Sequence, residues 1–302
     1  LTIAKALVNQ KIYVDLLLTN KIDKPDKSRT IGISKSNADF FNDNIINIKK
    51  IIWKLNKIEI FTENLEKEKI LCFENHKNEL FSIVKNFQLF DILQKSLLRN
   101  KYFKKINIKK NINFQEKYNL VINTDSQNYI TKKYFNNRVI KKYNSFAYTT
   151  IIKHSKIKNN TATQIFTKWG PIAFLPVSDY ETSLVCSLHN FENSKTDNIL
   201  GFINKYNFKY KINKINKIKS FELKSLNLRS YYYNNILAFG DLLHRVHPLA
   251  GQGFNMTIRD IKLLLEIIKK RVNLGLPLDS SVNFEFEKKI KHKNFIFSNG
   301  ID

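Results

Sequence analysis

Apolar and polar positions change period several times along this chain, and each change marks an element. Leu1 to Val8 (LTIAKALV) has helical spacing, whereas Ile12 to Leu18 (IYVDLLL) is an apolar run that predicts a buried strand. Asn37 to Phe41 continues as an amphipathic helix. Between Trp53 and Phe73 the pattern shortens to alternation, as in Ile58-Glu59-Ile60-Phe61 and Ile70-Leu71-Cys72-Phe73, which predicts an antiparallel excursion into a second sheet. Val84 to Leu98 returns to helical spacing, with Leu89, Ile92, Leu93 and Leu97 on one face. Tyr118 to Asp125 (YNLVINTD) predicts a strand that ends in an acid. Four antiparallel strands follow at Ala147–Ile152, Ala162–Thr167, Ile172–Val177 and Ser183–Leu188, rich in Ile, Thr, Phe and Val. A helix at Asn198–Tyr206, strands at Phe221–Leu228 and Asn235–Phe239, and a helix from Asn255 to about Val272 complete the pattern. The last helix turns Ile258, Ile261, Leu264, Leu265 and Ile268 inward.

No internal repeat or long linker separates these segments, so any domains must interleave along the chain. With 302 residues, 43% of them hydrophobic, there is enough material for one large or two modest cores. The balance of 51 Lys+Arg against 26 Asp+Glu gives +25, which raises nucleic acid or an anionic membrane as a partner. Lys, Asn and Ile crowd every segment alike, and no Arg-rich helix or aromatic-basic module stands out, so no nucleic acid is expected. The basic surface would help the chain sit on an anionic bilayer. Cys72 and Cys186 lie far apart in apolar runs and suggest buried thiols, not a disulfide framework or metal site. No stretch reaches the ~18 uninterrupted apolar residues of a spanning helix, and no signal peptide is evident at Leu1. The expected location is cytoplasmic, peripheral on the inner membrane.

The chemistry concentrates in Gly240–Asn255, GDLLHRVHPLAGQGFN, where strand, loop and helix follow one another. A strand ending in Gly-Asp lets a ligand approach the backbone and presents an acceptor-only carboxylate to sugar-like hydroxyls. Gly251 and Gly253 remove side chains just before a helix start, where unpaired N–H groups and the positive dipole end attract an anion or polarised carbonyl. The six histidines, His76, His154, His189, His244, His247 and His292, show no zinc spacing, and no Ser-His-Asp set stands out. His244 and His247 read as loop-shaping residues. The reaction would therefore belong to a cofactor, with no catalytic side chain and no metal supplied by the protein.

GDLLHRVHPLAGQGFNMTIRD resembles the GD-x-x-H…HP-x-AGQG-x-N…D signature of the FAD-dependent aromatic hydroxylases, in particular the branch that hydroxylates ubiquinone precursors. The resemblance implies an α/β fold of α+β two-domain type, a Rossmann-like FAD-binding domain interleaved with an antiparallel-sheet substrate domain. Residues 1–52, 84–135 and 228–302 would form the discontinuous FAD domain, and 53–83 and 136–227 the substrate domain. It implies that Asp241 holds the ribityl chain and that His247 and Pro248 line the flavin edge. Gly251, Gln252, Gly253, Phe254 and Asn255 would offer N–H groups to negative charge near flavin N1 and O2. Asp26–Ser36 (DKSRTIGISKS) is similar to a family segment whose Arg lies along the flavin and its phosphates, which points to Arg29. Val84–Leu98 is similar to a helix whose Asn faces the flavin, which points to Asn86, although a plain N-cap is an alternative there. Asp125 matches the acid of the family's D-L-V-I-G-A-D-G strand. Gly170-Pro171-Ile172-Ala173-Phe174-Leu175-Pro176 resembles a G-P-x-A-x-L-P strand facing the ring-binding cavity, with Ile172, Phe174 and Leu175 as its lining.

By the same resemblance NAD(P)H reduces FAD, O2 adds to the flavin C4a, and the hydroperoxide hydroxylates a prenylated phenol or quinone precursor. Other ubiquinone-biosynthesis proteins and a membrane surface are candidate partners. Two alternatives stay open: a flavoprotein of the same fold acting on another substrate, such as a small phenol hydroxylase or prenyl reductase, and a non-catalytic remnant acting as a scaffold. The chain departs from the family in three places. Its first glycine is Gly32, so the Gly-rich pyrophosphate turn and first strand are expected upstream of Leu1, and the C-terminus also reads as cut. Leu18-Thr19 stands where an acid closes the second strand. Asn123-Thr124-Asp125-Ser126 replaces Gly-Ala-Asp-Gly, and a serine forced to positive φ would store about 1 kcal/mol.

Overall fold

The computed structural model describes residues 1–18, 24–63, 69–75, 79–108, 114–189, 196–246 and 251–301. Helix α1 (Thr2–Asn9) buries Ala4, Ala6, Leu7 and Val8 and leads to β1 (Val14–Leu18). β2 (Thr30–Ser34) runs into α2 (Lys35–Asn44), which buries Ala38 and Phe41. β3 (Ile52–Leu55), β4 (Lys57–Thr62), β5 (Lys69–Glu74) and β6 (Phe81–Lys85) follow, then α3 (Asn86–Leu98) with Leu89, Leu93 and Leu97 inward. β7 (Phe103–Asn107), α4 (Phe114–Lys117), β8 (Val121–Asn123) and α5 (Tyr129–Tyr134) lead to the long strand β9 (Arg138–His154). β10 (Thr161–Thr167), β11 (Gly170–Pro176) and β12 (Glu181–His189) are the other strands expected in the central region. After α6 (Thr196–Tyr206) come β13 (Ile212–Ile215), β14 (Lys219–Leu228), β15 (Tyr232–Tyr233), β16 (Ile236–Ala238) and β17 (His244–Arg245). Two 22-residue helices, α7 (Gln252–Asn273) and α8 (Ser280–Ile301), close the order.

Four sheets organise these strands. β1 pairs with β7 and β8 with β16, both in parallel, as expected of an α/β layer covered by helices. The core of that layer gathers Leu7, Phe41, Leu89, Leu93, Leu237, Phe239, Ile258, Ile261, Leu264 and Phe286, from α1, α2, α3, β16, α7 and α8. The largest sheet runs β17-β14-β9-β12-β11-β10-β4-β5, with β13 also on β9. One of its faces is sealed by α6, whose Ile199, Phe202, Ile203 and Tyr206 pack on Phe61, Ile152, Ile165, Leu184 and Leu188. A third core of Leu55, Ile83 and Ala162 joins the two layers.

Several expectations are corrected by this arrangement. Residues 53–55 and 81–83, read as part of the second sheet, pair instead with Thr30–Ser34 in a sheet ordered β2-β6-β3. Val84 belongs to β6, opposite Ile31 and Ile52, so α3 starts two residues later than its periodicity predicts. The second sheet is not wholly antiparallel: β4 lies parallel to β10, because the chain crosses the other layer between them, the kind of long connection a parallel pair requires. Cys186 is buried but Cys72 is exposed, since every residue of β5 faces solvent. Ser126 is absent from the positive-φ residues, so the strain expected there does not arise. α8, which the periodicity does not reveal, buries Val282, Phe286 and Ile290 while Asn283 and Asn294 also turn inward.

Two phenylalanines in the first turns of α8 separate its faces: Phe286 is fully buried, 5.7 Å from the Phe239 ring, and Phe284 is 57% exposed. Phe286→Ala should cost about 3–5 kcal/mol in urea denaturation. Phe284→Ala should change stability by less than about 0.5 kcal/mol. Equal losses would contradict the face assignment.

Candidate functional site

The buried strand β16 ends against β8, where Phe239 N–H donates to Asn123 O at 2.9 Å. Gly240 then takes φ +64 and opens a 3-10 turn, Gly240–Leu242, closed by Leu243 N–H donating to Gly240 O. That turn buries Leu242 and Leu243 and leaves Asp241 exposed. Among the described residues the Asp241 carboxylate has no hydrogen-bond partner. Asp125 emerges from the same end of the parallel pair, two residues beyond Asn123 as Asp241 lies three beyond Ala238. It is exposed, and its Oδ1 accepts from Gln127 N–H at 2.8 Å. Carboxyl ends of neighbouring parallel strands are where α/β sheets bind ligands.

Two buried contacts fix the next helix relative to this end. His244 Nε2 lies 2.5 Å from Asp260 Oδ2 with both side chains fully buried, tying β17 to the third turn of α7. The second contact is the amide of Asn255, in the first turn of α7. Its Nδ2 donates to Gly32 O at 3.0 Å and Gly251 O at 3.1 Å. Its Oδ1 accepts from Ser34 N–H at 3.0 Å and Asn37 Nδ2 at 2.8 Å. Two donors and two acceptor positions are therefore all used within the protein. Gly251 suits this place by its φ of +65, where an L side chain would be strained; the Gly32 backbone lies at ordinary contact distance, 3.5 Å from a Cβ at that position. Gly32 is itself forced, since a Cβ on it would lie 2.3 Å from the Phe81 ring.

The sequence-selected residues separate into three groups. Asp125 and Asp241 emerge at the same end of the β8–β16 pair, and Gly251, Gln252 and Gly253 lie at the start of α7, the helix that packs against the 3-10 turn. Phe254 turns into the core, 6.3 Å from the Phe41 ring, and Asn255 has its side chain committed, so each can face a ligand only through its backbone. Arg29 and Asn86 stand together at the ends of β2 and β6, where Asn86 N–H donates to Arg29 O at 3.0 Å. Asn86 is not an N-cap; Lys85 occupies that position, without a side-chain cap bond. Arg29 is exposed. His247 and Pro248 lie outside the described residues, as does Thr19.

The substrate-side residues need a correction. Alternation along β11 sends Ile172 and Phe174 into the core sealed by α6, away from β2 and α7. Leu175 is on the opposite face and packs with Trp53, Phe81 and Ile83. That face meets the β2 sheet: Thr30 Oγ1 is 2.8 Å from Ser183 Oγ, and Ser183 pairs with Leu175. The residues missed in the sequence are Gly32, Ser34, Asn37 and Asp260. Their signal was a strand-to-helix run, GISKSN, with hydrogen-bonding side chains on the face that a buried helix must cover.

Local chemistry fits the flavin and ribityl part of FAD. A free carboxylate accepts from hydroxyls, the first N–H groups of α7 carry no side-chain cap, and nothing lies within 4 Å of a Cβ built at Gly240. Near the start of β1 the acid is already engaged: Asp15 accepts from Tyr118 Oη at 2.9 Å, and burial, then this contact, pushes the Tyr118 phenol up to about 12.

A family model described as an FAD binding domain matches residues 203–273, from α6 to the end of α7. The 3-demethoxyubiquinol 3-hydroxylase of Escherichia coli (strain K12) is 29% identical over 147 residues, covering 46% of this chain and 37% of that protein. The mitochondrial ubiquinone biosynthesis monooxygenase COQ6 of Danio rerio is 26% identical over 226 residues, covering 61% and 47%. Over these stretches the chain is similar to ubiquinone-biosynthesis hydroxylases. Its fold is shared along nearly its whole length with solved structures: PqsL, a probable FAD-dependent monooxygenase from Pseudomonas aeruginosa, superposes with a TM-score of 0.78 over 99% of this chain and 90% of its own, at 13% identity. A second hydroxylase structure, 2-methyl-3-hydroxypyridine-5-carboxylic acid oxygenase, gives 0.76 over 97% and 84%, at 12% identity. The matched stretch spans less than half of either curated relative.

The His244–Asp260 contact predicts a non-additive cycle. His244→Leu strands a buried carboxylate and should cost about 3–5 kcal/mol. Asp260→Leu leaves a buried imidazole without its partner and should cost about 1–3 kcal/mol. In urea denaturation the double variant should lose less than His244→Leu alone; additive losses would show that the two groups do not depend on each other.

Proposed function

We propose that this protein is an FAD-dependent monooxygenase that hydroxylates the aromatic ring of a prenylated phenol in ubiquinone biosynthesis, with NAD(P)H as donor and O2 as co-substrate. The observation that carries the reading is the exposed Asp241 carboxylate, without a hydrogen-bond partner among the described residues, in a 3-10 turn that packs against α7, whose uncapped start the Asn255 amide fixes to β2. The names of the curated relatives support the substrate class.

Bound FAD, once reduced, would supply the oxygen-activating chemistry. The protein's part is to bind, orient and stabilise charge. Asp241 accepts hydrogen bonds from ribityl hydroxyls, with Asp125 behind it on the neighbouring strand. The N–H groups of Gln252–Asn255 would offer hydrogen bonds to negative charge on the bound ring, where a fixed helix dipole costs no reorganisation. Arg29 offsets phosphate charge. His247 and Pro248 would close the flavin edge.

The substrate ring would enter from the face carrying Ala173, Leu175 and Val185, which register places opposite Ile172 and Phe174. Cations near that junction are engaged: Lys85 with Glu181 at 2.5 Å, Lys153 with Glu181 at 3.6 Å and Lys219 with Asp26 at 3.5 Å. A small carboxylate substrate would find its counter-charges taken, whereas an isoprenoid tail gains ~25 cal/mol per Å² of apolar area buried. A peripheral position on the inner membrane, in contact with other ubiquinone-biosynthesis proteins, would bring such a substrate within reach.

Asp241→Ala should weaken FAD binding by about 1–3 kcal/mol in a flavin titration, and Asp125→Ala by less. A silent Asp241→Ala in a folded protein would remove the anchor from the account. NAD(P)H consumption should couple to product with a prenylated phenol and not with 4-hydroxybenzoate. Comparable hydroxylated product from the small acid, followed by mass spectrometry, would instead favour the soluble phenol hydroxylases.

A further inference from the structure

The turn between α7 and α8 is built unlike a solvent-facing connection. α7 ends in a Schellman arrangement: Gly275, at φ +66, donates to Val272 O at 3.1 Å and Leu276 N–H to Arg271 O at 2.9 Å. Arg271 Nη1 adds a bond to Pro277 O at 3.3 Å, so the turn is fixed at both ends. In such a motif the apolar residue after the glycine normally packs back on the helix. Here residues 272–277 are all exposed, with Val272 at 54%, Leu274 at 62% and Leu276 at 47%. Phe284, 57% exposed, follows about one helical turn into α8.

Scattered exposed apolar residues need no explanation, but three within five residues on a rigid projecting turn do. The charges nearest them are mostly positive, with Glu266 the one exposed acid on the last turns of α7. Lys269, Lys270 and Lys288 are exposed beside the turn. The neighbouring acids are engaged: Glu285 holds Lys289 at 2.6 Å and Arg271 at 3.8 Å, and Asp279 Oδ1 accepts from Ser281 N–H at 2.9 Å. Hydrogen bonds from Ser281 also hold the Asp279 carboxyl below the usual carboxylate range, so it stays ionised and bonded within the turn.

We propose that this turn is a membrane-docking tip, in which Val272, Leu274, Leu276 and Phe284 enter the headgroup region of an anionic bilayer and Lys269, Lys270 and Lys288 pair with its lipids. An apolar point inside a cationic collar matches the two components of interfacial binding, buried apolar area and attraction to anionic lipid. A turn already fixed by its own hydrogen bonds loses little freedom on docking. α7 is 22 residues long, so the tip stands about 33 Å from the Gly251 end, and docking is independent of the flavin reading.

Co-sedimentation of the protein with phosphatidylcholine vesicles, with and without phosphatidylglycerol, tests the tip without flavin or substrate. Binding should require the anionic lipid. Leu274→Ser/Leu276→Ser, which preserves charge and Gly275, should lower the partition coefficient at least about tenfold. Lys269→Gln/Lys270→Gln should lower it at least about fivefold. Leu71→Ser/Phe73→Ser on the exposed strand β5 should leave it unchanged, and thermal melts should show all variants folded. Equal binding by the Leu274/Leu276 variant would show that net charge alone is responsible and overturn the proposal. So would no binding by the unaltered protein, or a dimer in sedimentation velocity that Leu274→Ser/Leu276→Ser dissolves, which would make the tip a contact between copies.

Discussion

The first turn of α7 is held by one amide, and most of the candidate site is positioned through it. Asn255 bonds to the carbonyls of Gly32 and Gly251 and receives Ser34 N–H and the Asn37 amide, so β2, α2 and α7 meet on a single buried side chain. The contact works only because two backbones come close, Gly251 against Gly32, with Phe81 occupying the space on the other side of Gly32. Buried polar groups that are fully satisfied specify one arrangement, and this one sets where the helix N–H groups point relative to the end of β16. His244 and Asp260 repeat the device further along the same helix.

Labour is divided accordingly. Side chains at the centre of the Gly240–Asn255 stretch are spent on architecture, and the groups left to a ligand are backbone N–H groups and acids at strand ends. Asp241 stays exposed because Gly240 turns the chain at positive φ just as the buried strand finishes. On the other layer, α6 takes one face of the large sheet and the Leu175 face is left toward β2.

Much of this was legible in the sequence. The strand, loop and helix around Gly240, the inward stripe of α7 and the strands of the large sheet all follow from periodicity and turn chemistry. What alternation cannot tell is which face of a strand looks at which layer, and that is why Ile172 and Phe174 were assigned to a cavity when they lie beneath α6. Local pattern equally cannot show that β3 and β6 leave the large sheet for β2, since the partner is distant in sequence. α8 escaped because its inward face includes Asn283 and Asn294 while Phe284 and Phe295 face out, which blurs the 3.6-residue period. At Asn123 the sequence showed a departure but not its consequence: the side chain bonds Asn128 and Thr131, so the turn toward Asp125 is rebuilt with polar contacts in place of a glycine.

Hydrogen exchange followed by mass spectrometry, with and without FAD, addresses the central claim most directly, because it reports where the cofactor orders the backbone and needs no turnover. Binding at the proposed site predicts slowed exchange in peptides covering Gly240–Leu243 and Gly251–Asn255, with the Arg29–Asn37 segment following through the Asn255 contact. Protection confined to the open cleft lined by Ser126, Lys132 and Arg138, or unchanged exchange at the start of α7 when FAD is bound, would contradict it.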